Sequence, residues 1–161
     1  MSNWIVNQVN FSRNQTLLAA SRLTDAESAI IPEGLNNNVK WNLGHIYVVT
    51  EKFGFALTGG ETNTTEQFLE WFASGTSPRG WTSEPPMLNE LISLLQQQLH
   101  RISESASNVE QLSRPLTESY TTSTGLHMST VQESLNFCIY HEAMHFAAIK
   151  SIARLVQYAN Q

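Results

Sequence analysis

The sequence has little charge and almost no cysteine. Lysine and arginine number 9 against 14 acidic residues, which gives a formal charge of −5, and the basic residues form no cluster. A surface that follows nucleic-acid phosphates needs such a cluster, so we expect no nucleic-acid partner. Cys138 is the single cysteine, which excludes both an intrachain disulfide and a cysteine-rich zinc site. Any metal would therefore have to be held by histidine and carboxylate side chains.

Long apolar runs are also missing. No uninterrupted stretch approaches the roughly 18 apolar residues that span a bilayer, and the amino-terminal segment lacks the basic and apolar regions of a signal peptide. We therefore expect no membrane contact and a cytosolic location. The length of 161 residues, without an internal repeat, predicts a single domain over residues 1–161.

Apolar residues recur at helical spacing in four stretches of the chain. They predict helices over residues 3–23, 39–57 and 86–105 and a last helix from about 130 to at least 155, where Thr130 and Glu133 match a capping box. Between the second and third helices, residues 61–86 are rich in glycine and proline and predict a long crossover with a short helix at 66–72. Residues 113–125 predict a loop, with two short strands as the alternative. The pattern favours an all-α four-helix bundle with a long crossover between helices two and three.

A pair of histidines lies four residues apart on the last predicted helix. His141 and His145 therefore project from one face, one turn apart, as two ligands of a single metal ion do. The same five residues match the HExxH pattern of zinc peptidases, in which the glutamate, here Glu142, is the general base. Those enzymes take a third ligand from downstream, but no Asp, Glu or Cys follows Glu142 and no His follows His145. The third ligand must therefore lie upstream.

Three histidines lie upstream of this pair. His45 is favoured as the third ligand, because it shares an apolar stripe with Trp41 and Val48 and is predicted to point into the interior, where its ring needs a polar partner. His100 is predicted to face solvent, and His127 to lie in a loop. Neither is expected to be a ligand.

Three neutral imidazoles would leave a divalent ion its full charge and at least one open coordination position. This arrangement is typical of catalytic rather than structural zinc, and the open position takes water or a thiolate. Cys138 lies three residues before His141 on the same stripe and is either a further ligand or a small core residue. A lone cysteine on an apolar stripe favours the core.

Residues 41–46, WNLGHI, resemble the W-x-x-G-H signature on the second helix of DinB-like proteins. The pair His141 and His145 on the last helix completes the resemblance, which extends over nearly the whole chain. It implies a four-helix bundle, often homodimeric, whose three histidines hold a divalent metal, commonly zinc or nickel. Carried onto this sequence, the implied ligands are His45, His141 and His145.

The resemblance leaves the reaction open. Some DinB-like proteins resemble thiol-dependent S-transferases that use bacillithiol, mycothiol or glutathione, so the first hypothesis is a transferase that joins a low-molecular-weight thiol to an electrophilic small molecule. Lys52, Arg79 and Arg101 are alternatives for orienting an anionic thiol. The second hypothesis is a metal-dependent hydrolase, in which the metal lowers the pKa of a bound water and Glu142 is the base. The third is a non-catalytic, stress-related metal-binding dimer.

Overall fold

The computed structural model describes residues 4–106 and 109–159. Most of these residues are helical, so the predicted all-α class is confirmed. None of the helices within the described ranges combines the length and the apolar character that a bilayer span requires. In chain order the elements are α1 Trp4–Ala20, α2 Asp25–Ala29, α3 Val39–Gly54, α4 Glu66–Phe72, α5 Leu88–Ser105, α6 Val109–Ser113, β1 Pro115–Thr121, β2 His127–Thr130 and α7 Val131–Ala159, with 3-10 turns at Ala56–Thr58 and Pro78–Gly80.

Side-chain caps start the two helices that carry the predicted ligands. At α3, the Asn38 Oδ1 accepts a hydrogen bond from the Trp41 amide at 2.8 Å. At α7, the Thr130 amide donates to the Glu133 carboxylate at 3.0 Å, and the Glu133 amide donates to the Thr130 hydroxyl at 3.3 Å. The predicted capping box is therefore confirmed, and it satisfies backbone donors that the first turn of a helix leaves unpaired.

Two regions differ from the predicted boundaries. The first predicted helix, over residues 3–23, corresponds to α1, which ends at Ala20, and the short α2 that follows was not predicted; the first predicted residue, Asn3, lies outside the described residues. Thr24 and Glu27 form a second capping box, which begins α2. The region predicted as a loop or two short strands forms an antiparallel hairpin of β1 and β2. This hairpin brings Tyr120 against Phe53, with 5.1 Å between ring centroids.

Each of the four long helices packs against two of the others. α1 and α3 each contact both α5 and α7, and the core consists of two apolar clusters. One cluster contains residues from the first halves of α1 and α7 and from the second halves of α3 and α5. The other cluster contains residues from the second halves of α1 and α7 and from the first halves of α3 and α5. α1 and α7 therefore run opposite to α3 and α5. The chain between 55 and 87 joins two helices that run in the same direction.

A layer of buried polar side chains lies between the two apolar clusters. The Arg13 guanidinium, fully buried, donates to the Glu142 carboxylate at 2.8 Å and to the Gln98 Oε1 at 3.1 Å. Gln98 in turn donates to the Glu51 Oε1 at 2.8 Å, and Arg101 pairs with the same oxygen at 2.7 Å. Each buried charge thus has an opposite partner, as buried ionic groups require.

Candidate metal centre

Helices α3 and α7 bring three imidazoles together. His45 comes from α3, and His141 and His145 come from consecutive turns of α7. Their ring centroids lie 4.5 to 5.1 Å apart, and one nitrogen from each ring lies within 4.8 Å of the others. His45 and His141 are buried and His145 is partly buried. The three predicted ligands therefore form one cluster that could hold a metal ion.

Hydrogen bonds orient two of the three rings. The Nδ1 of His45 lies 2.7 Å from the carbonyl oxygen of Phe72, and the Nδ1 of His145 lies 2.8 Å from the Oδ1 of Asn42. A carbonyl oxygen only accepts, so each Nδ1 carries the hydrogen and each Nε2 keeps a free lone pair. The Asn42 amide is oriented in turn, because its Nδ2 donates to the Asn38 carbonyl at 2.7 Å. Metal-binding histidines in proteins commonly have such a partner on the second nitrogen.

The aromatic and glycine residues of the WNLGHI segment explain the position of His45. The Trp41 ring stacks on the His45 ring with centroids 4.6 Å apart and planes 10° from parallel, and its Nε1 donates to Thr76 at 2.8 Å. A Cβ at Gly44 would lie closer than 3.0 Å to the fully buried Phe72 ring. Glycine therefore allows α4 to approach α3, which places the Phe72 carbonyl beside His45.

Burial favours the neutral form of the three imidazoles. It lowers the pKa of His141 to about 3, with the nearby charges of His145 and His45 contributing further. Burial and the charge of His45 lower the pKa of His145 to about 4. Burial also lowers the pKa of His45, although the hydrogen bond with Phe72 opposes this shift. Three unprotonated imidazoles are the state in which histidine binds a metal ion.

Glu142 lies on the same helix, but its carboxylate is engaged elsewhere. The side chain is 3% exposed and forms the ion pair with Arg13. The Glu142 carboxylate therefore does not face solvent. Among the described residues, its oxygens do not join the histidine nitrogens in the group that could hold a metal.

The remaining sequence candidates lie apart from the cluster. Cys138 is buried, and burial followed by the charge of Glu142 raises the pKa of its thiol to about 12. It belongs to an apolar cluster, as the core interpretation predicts. His100 is exposed beside Glu104, and His127 is exposed and bonded to Thr121 at 2.9 Å. None of the three joins the metal-binding group in the part of the chain that the structure describes.

Sequence reasoning missed the partners of these histidines and of Glu142. Arg13 lies four residues after Val9 on the buried face of α1, and this spacing was a signal that its charge is buried and paired. Asn42 lies three residues before His45, inside the quoted segment, but nothing local connects it with His145. The Phe72 carbonyl is a backbone atom and leaves no sequence signal.

Two cavities, each of about 510 Å³, lie beside the histidine cluster, and a different histidine lines each of them. His45 lines the first, together with apolar side chains of α3, Lys52 and Tyr120. His145 lines the second, together with Trp41 and three asparagines that include Asn42. Each cavity therefore has one histidine of the cluster in its wall.

Comparisons with known proteins support this architecture. The family model of the DinB superfamily matches residues 8–149. The crystal structure of a conserved protein from Enterococcus faecalis superimposes with a TM-score of 0.66 at 18% identity, covering 97% of this chain and 96% of that one. At this identity the similarity concerns the fold alone. No curated protein matches the sequence.

Proposed function

Because the chain belongs to the DinB superfamily, we propose that it is a metal-dependent enzyme in which His45, His141 and His145 hold a divalent ion, zinc or nickel. The donor set fits such an ion: burial lowers the pKa of all three imidazoles, and hydrogen bonds hold two of them with Nε2 free. Borderline metals of this kind favour imidazole nitrogen. Three neutral ligands leave the charge of the ion uncompensated and leave room for a further ligand.

The scaffold of this enzyme is, in our proposal, a single domain over residues 1–161. The four long helices α1, α3, α5 and α7 would form the four-helix bundle of the family, and residues 55–87 would form its crossover. The directions of the helices support this, because a connection between two parallel neighbours must return along the whole length of the bundle.

The reaction we propose is transfer of a low-molecular-weight thiol to an electrophilic small molecule. The two cavities beside the cluster carry this proposal, since a transfer needs two organic substrates to meet at one point, whereas hydrolysis needs one substrate and water. When bound, the metal would lower the pKa of a thiol so that it reacts as thiolate at neutral pH. The sulfur then forms a bond to carbon while the carbon–chlorine bond of a chloro-aromatic, or a carbon–oxygen bond of an epoxide, breaks and leaves its electron pair on chloride or oxygen. The thiol proton passes to solvent, and the opened epoxide oxygen takes up a proton.

The chain's own residues prepare this meeting point. Phe72 and Asn42 orient two imidazoles through their oxygens, and the stacked Trp41 ring covers one face of His45. Preorganised ligands need no rearrangement when the metal binds. His45 and His141 are buried, which limits the access of water to the histidine cluster.

Activity and metal content test the transfer. Zinc- or nickel-loaded protein is incubated with bacillithiol, mycothiol or glutathione and a chloro-aromatic or epoxide electrophile, and thioether formation is measured. His141→Ala is expected to lose both the metal and the activity, and His100→Ala, an exposed histidine on α5, serves as the control. A metal-loaded protein that forms no thioether above the uncatalysed rate would contradict the transferase.

Hydrolysis with Glu142 as the base is the second hypothesis. The ion pair with Arg13 favours a structural role for Glu142 and therefore favours the transferase. Glu142→Gln tests this: loss of turnover with the metal retained would support the hydrolase, and unchanged turnover would remove that role. A non-catalytic metal-binding dimer is the third hypothesis. It predicts that the visible spectrum of cobalt-loaded protein does not change when a thiol is added.

We also propose that the protein forms a homodimer through α1. Trp4, Phe11 and Leu18 are 49, 68 and 50% exposed, respectively, and they recur every seven residues. Seven residues are close to two helical turns, so the three side chains form one apolar stripe on the surface. Such a stripe is typical of a helix that packs against a partner. We expect the proposed small-molecule chemistry to take place in a soluble dimer in the cytosol.

A further inference from the structure

The cavity beside His45 is mostly apolar. Val48, Val49, Phe53, Leu69 and Tyr120 contribute to its wall. The volume, about 510 Å³, lies in the range of small-molecule sites. Low-molecular-weight thiols such as glutathione carry polar groups along their whole length, and an apolar wall would leave those groups without partners. The cavity therefore suits the other substrate, an organic molecule with an apolar body.

Lys52 supplies the charge of this cavity. Its ammonium lies 4.2 Å from the Tyr120 ring centroid and 5.2 Å from the Phe53 ring centroid. Within the described residues it forms no ion pair with a carboxylate. The two aromatic faces hold the ammonium at the cavity wall, and its charge remains available to a ligand.

The two other basic residues considered from the sequence are already occupied. The Arg101 guanidinium pairs with Glu51 at 2.7 Å and donates to the Glu61 carbonyl at 2.6 Å. Arg79 donates to the Leu35 carbonyl at 3.2 Å, and neither side chain lines this cavity. Of these three residues, only Lys52 lines the cavity.

The spacing of His45 and Lys52 sets the length of the ligand. The two residues are seven apart on α3, which corresponds to two turns and about 10 Å along the helix axis. A molecule that reaches from the histidine cluster to the ammonium therefore needs an extended body of about that length. Because Lys52 is the one cation among the described side chains that line this cavity, the cavity suits a ligand with a single negative charge.

We propose that this cavity binds the electrophilic substrate, and that this substrate is an amphipathic monocarboxylate whose apolar body lies against α3 and whose carboxylate pairs with Lys52. This inference rests on the proposed transferase for the role of the ligand, although binding in the cavity does not require turnover. Lys52 is then a substrate-binding residue that sets the preference for an anion.

Isothermal titration calorimetry with 4-phenylbutyrate and its uncharged analogue 4-phenylbutyramide tests the inference on metal-free and zinc-loaded protein. Lys52 is exposed, so Lys52→Met is expected to raise the Kd of the carboxylate about two- to fivefold, as for an ion pair at an exposed site, and to leave the Kd of the amide unchanged. Lys52→Arg should retain most of the affinity. The matched control is Lys150→Met, since Lys150 lies over the Phe146 ring at 5.2 Å but outside this cavity.

A second variant tests the location of the apolar body. Ala56 lines the cavity, so Ala56→Phe should occupy part of its volume and weaken both probes. Equal affinity for acid and amide in the wild type, an equal effect of Lys52→Met and Lys150→Met, or no binding of either probe would overturn the inference. Lys52-dependent binding without thioether formation would refute the transferase alone, and thioether formation without Lys52-dependent binding would refute the cavity assignment alone.

Discussion

The change Gly44→Ala links packing directly to the candidate metal centre. The new Cβ would lie closer than 3.0 Å to three atoms of the Phe72 ring. That ring is fully buried, so it has no solvent space into which it can turn. The clash must therefore move α4 relative to α3, and the Phe72 carbonyl that orients His45 moves with it.

The magnitude follows from two opposing terms. Overpacking a core costs about 1–3 kcal/mol, whereas replacing glycine by alanine inside a helix stabilises it by about 0.8–1.0 kcal/mol. The two terms together give a loss of about 0–2 kcal/mol in the free energy of unfolding, and the close approach to three Phe72 atoms favours the upper end for Gly44→Ala. Displacing the partner of a histidine ligand also weakens metal binding, by about 10- to 100-fold.

Gly54→Ala is the matched control on the same helix. A Cβ there would meet Thr50 at 3.5 Å and Leu135 at 3.9 Å, which are ordinary contacts. Urea unfolding of the two metal-free variants measures stability, and competition with a chelator measures zinc affinity. We expect Gly54→Ala to be neutral or slightly stabilising and to bind zinc as the wild type does.

A double-mutant cycle identifies the clash itself. In the background of Phe72→Leu the smaller side chain relieves the overlap, so Gly44→Ala should lose less stability there than in the wild type. Equal stability and equal zinc affinity for Gly44→Ala and Gly54→Ala would refute the reasoning. An additive cycle would refute the assignment of the effect to Phe72.

Three further predictions concern the buried ion pair, the metal and the dimer. Arg13→Met leaves Glu142 buried without its cation and should lower the free energy of unfolding by about 3–5 kcal/mol in urea titrations; a loss below about 1 kcal/mol, the range of exposed pairs, would argue against the pair. When the wild type is held at a free zinc concentration 100 times the Kd, removal of the zinc by a chelator should lower its Tm by about 5–10 °C in differential scanning fluorimetry. His141→Ala should show no such shift, and an equal shift in both proteins would contradict the ligand assignment. Phe11→Arg should dissociate the proposed dimer in analytical ultracentrifugation, whereas Val109→Arg, at another exposed apolar position, should not. A dimer that survives Phe11→Arg would exclude the α1 stripe as its interface.

Local spacing accounts for much of what could be predicted. The capping box of Thr130 and Glu133 marks the start of α7, and the four-residue interval between His141 and His145 places both rings on one face of that helix. These relations act over one helical turn, so the order of residues is sufficient to define them. The burial of His45 followed from the same periodicity, because its stripe is apolar.

Only the tertiary structure decided which groups meet. Arg13 and Glu142 are 129 residues apart and Asn42 and His145 are 103 apart, and no periodic pattern connects positions at such distances. The Phe72 carbonyl reaches His45 because Gly44 has no Cβ, and the hairpin brings Tyr120 to Lys52. Helical periodicity determines which face of each helix is buried, but the contacts between faces depend on how the helices pack against one another.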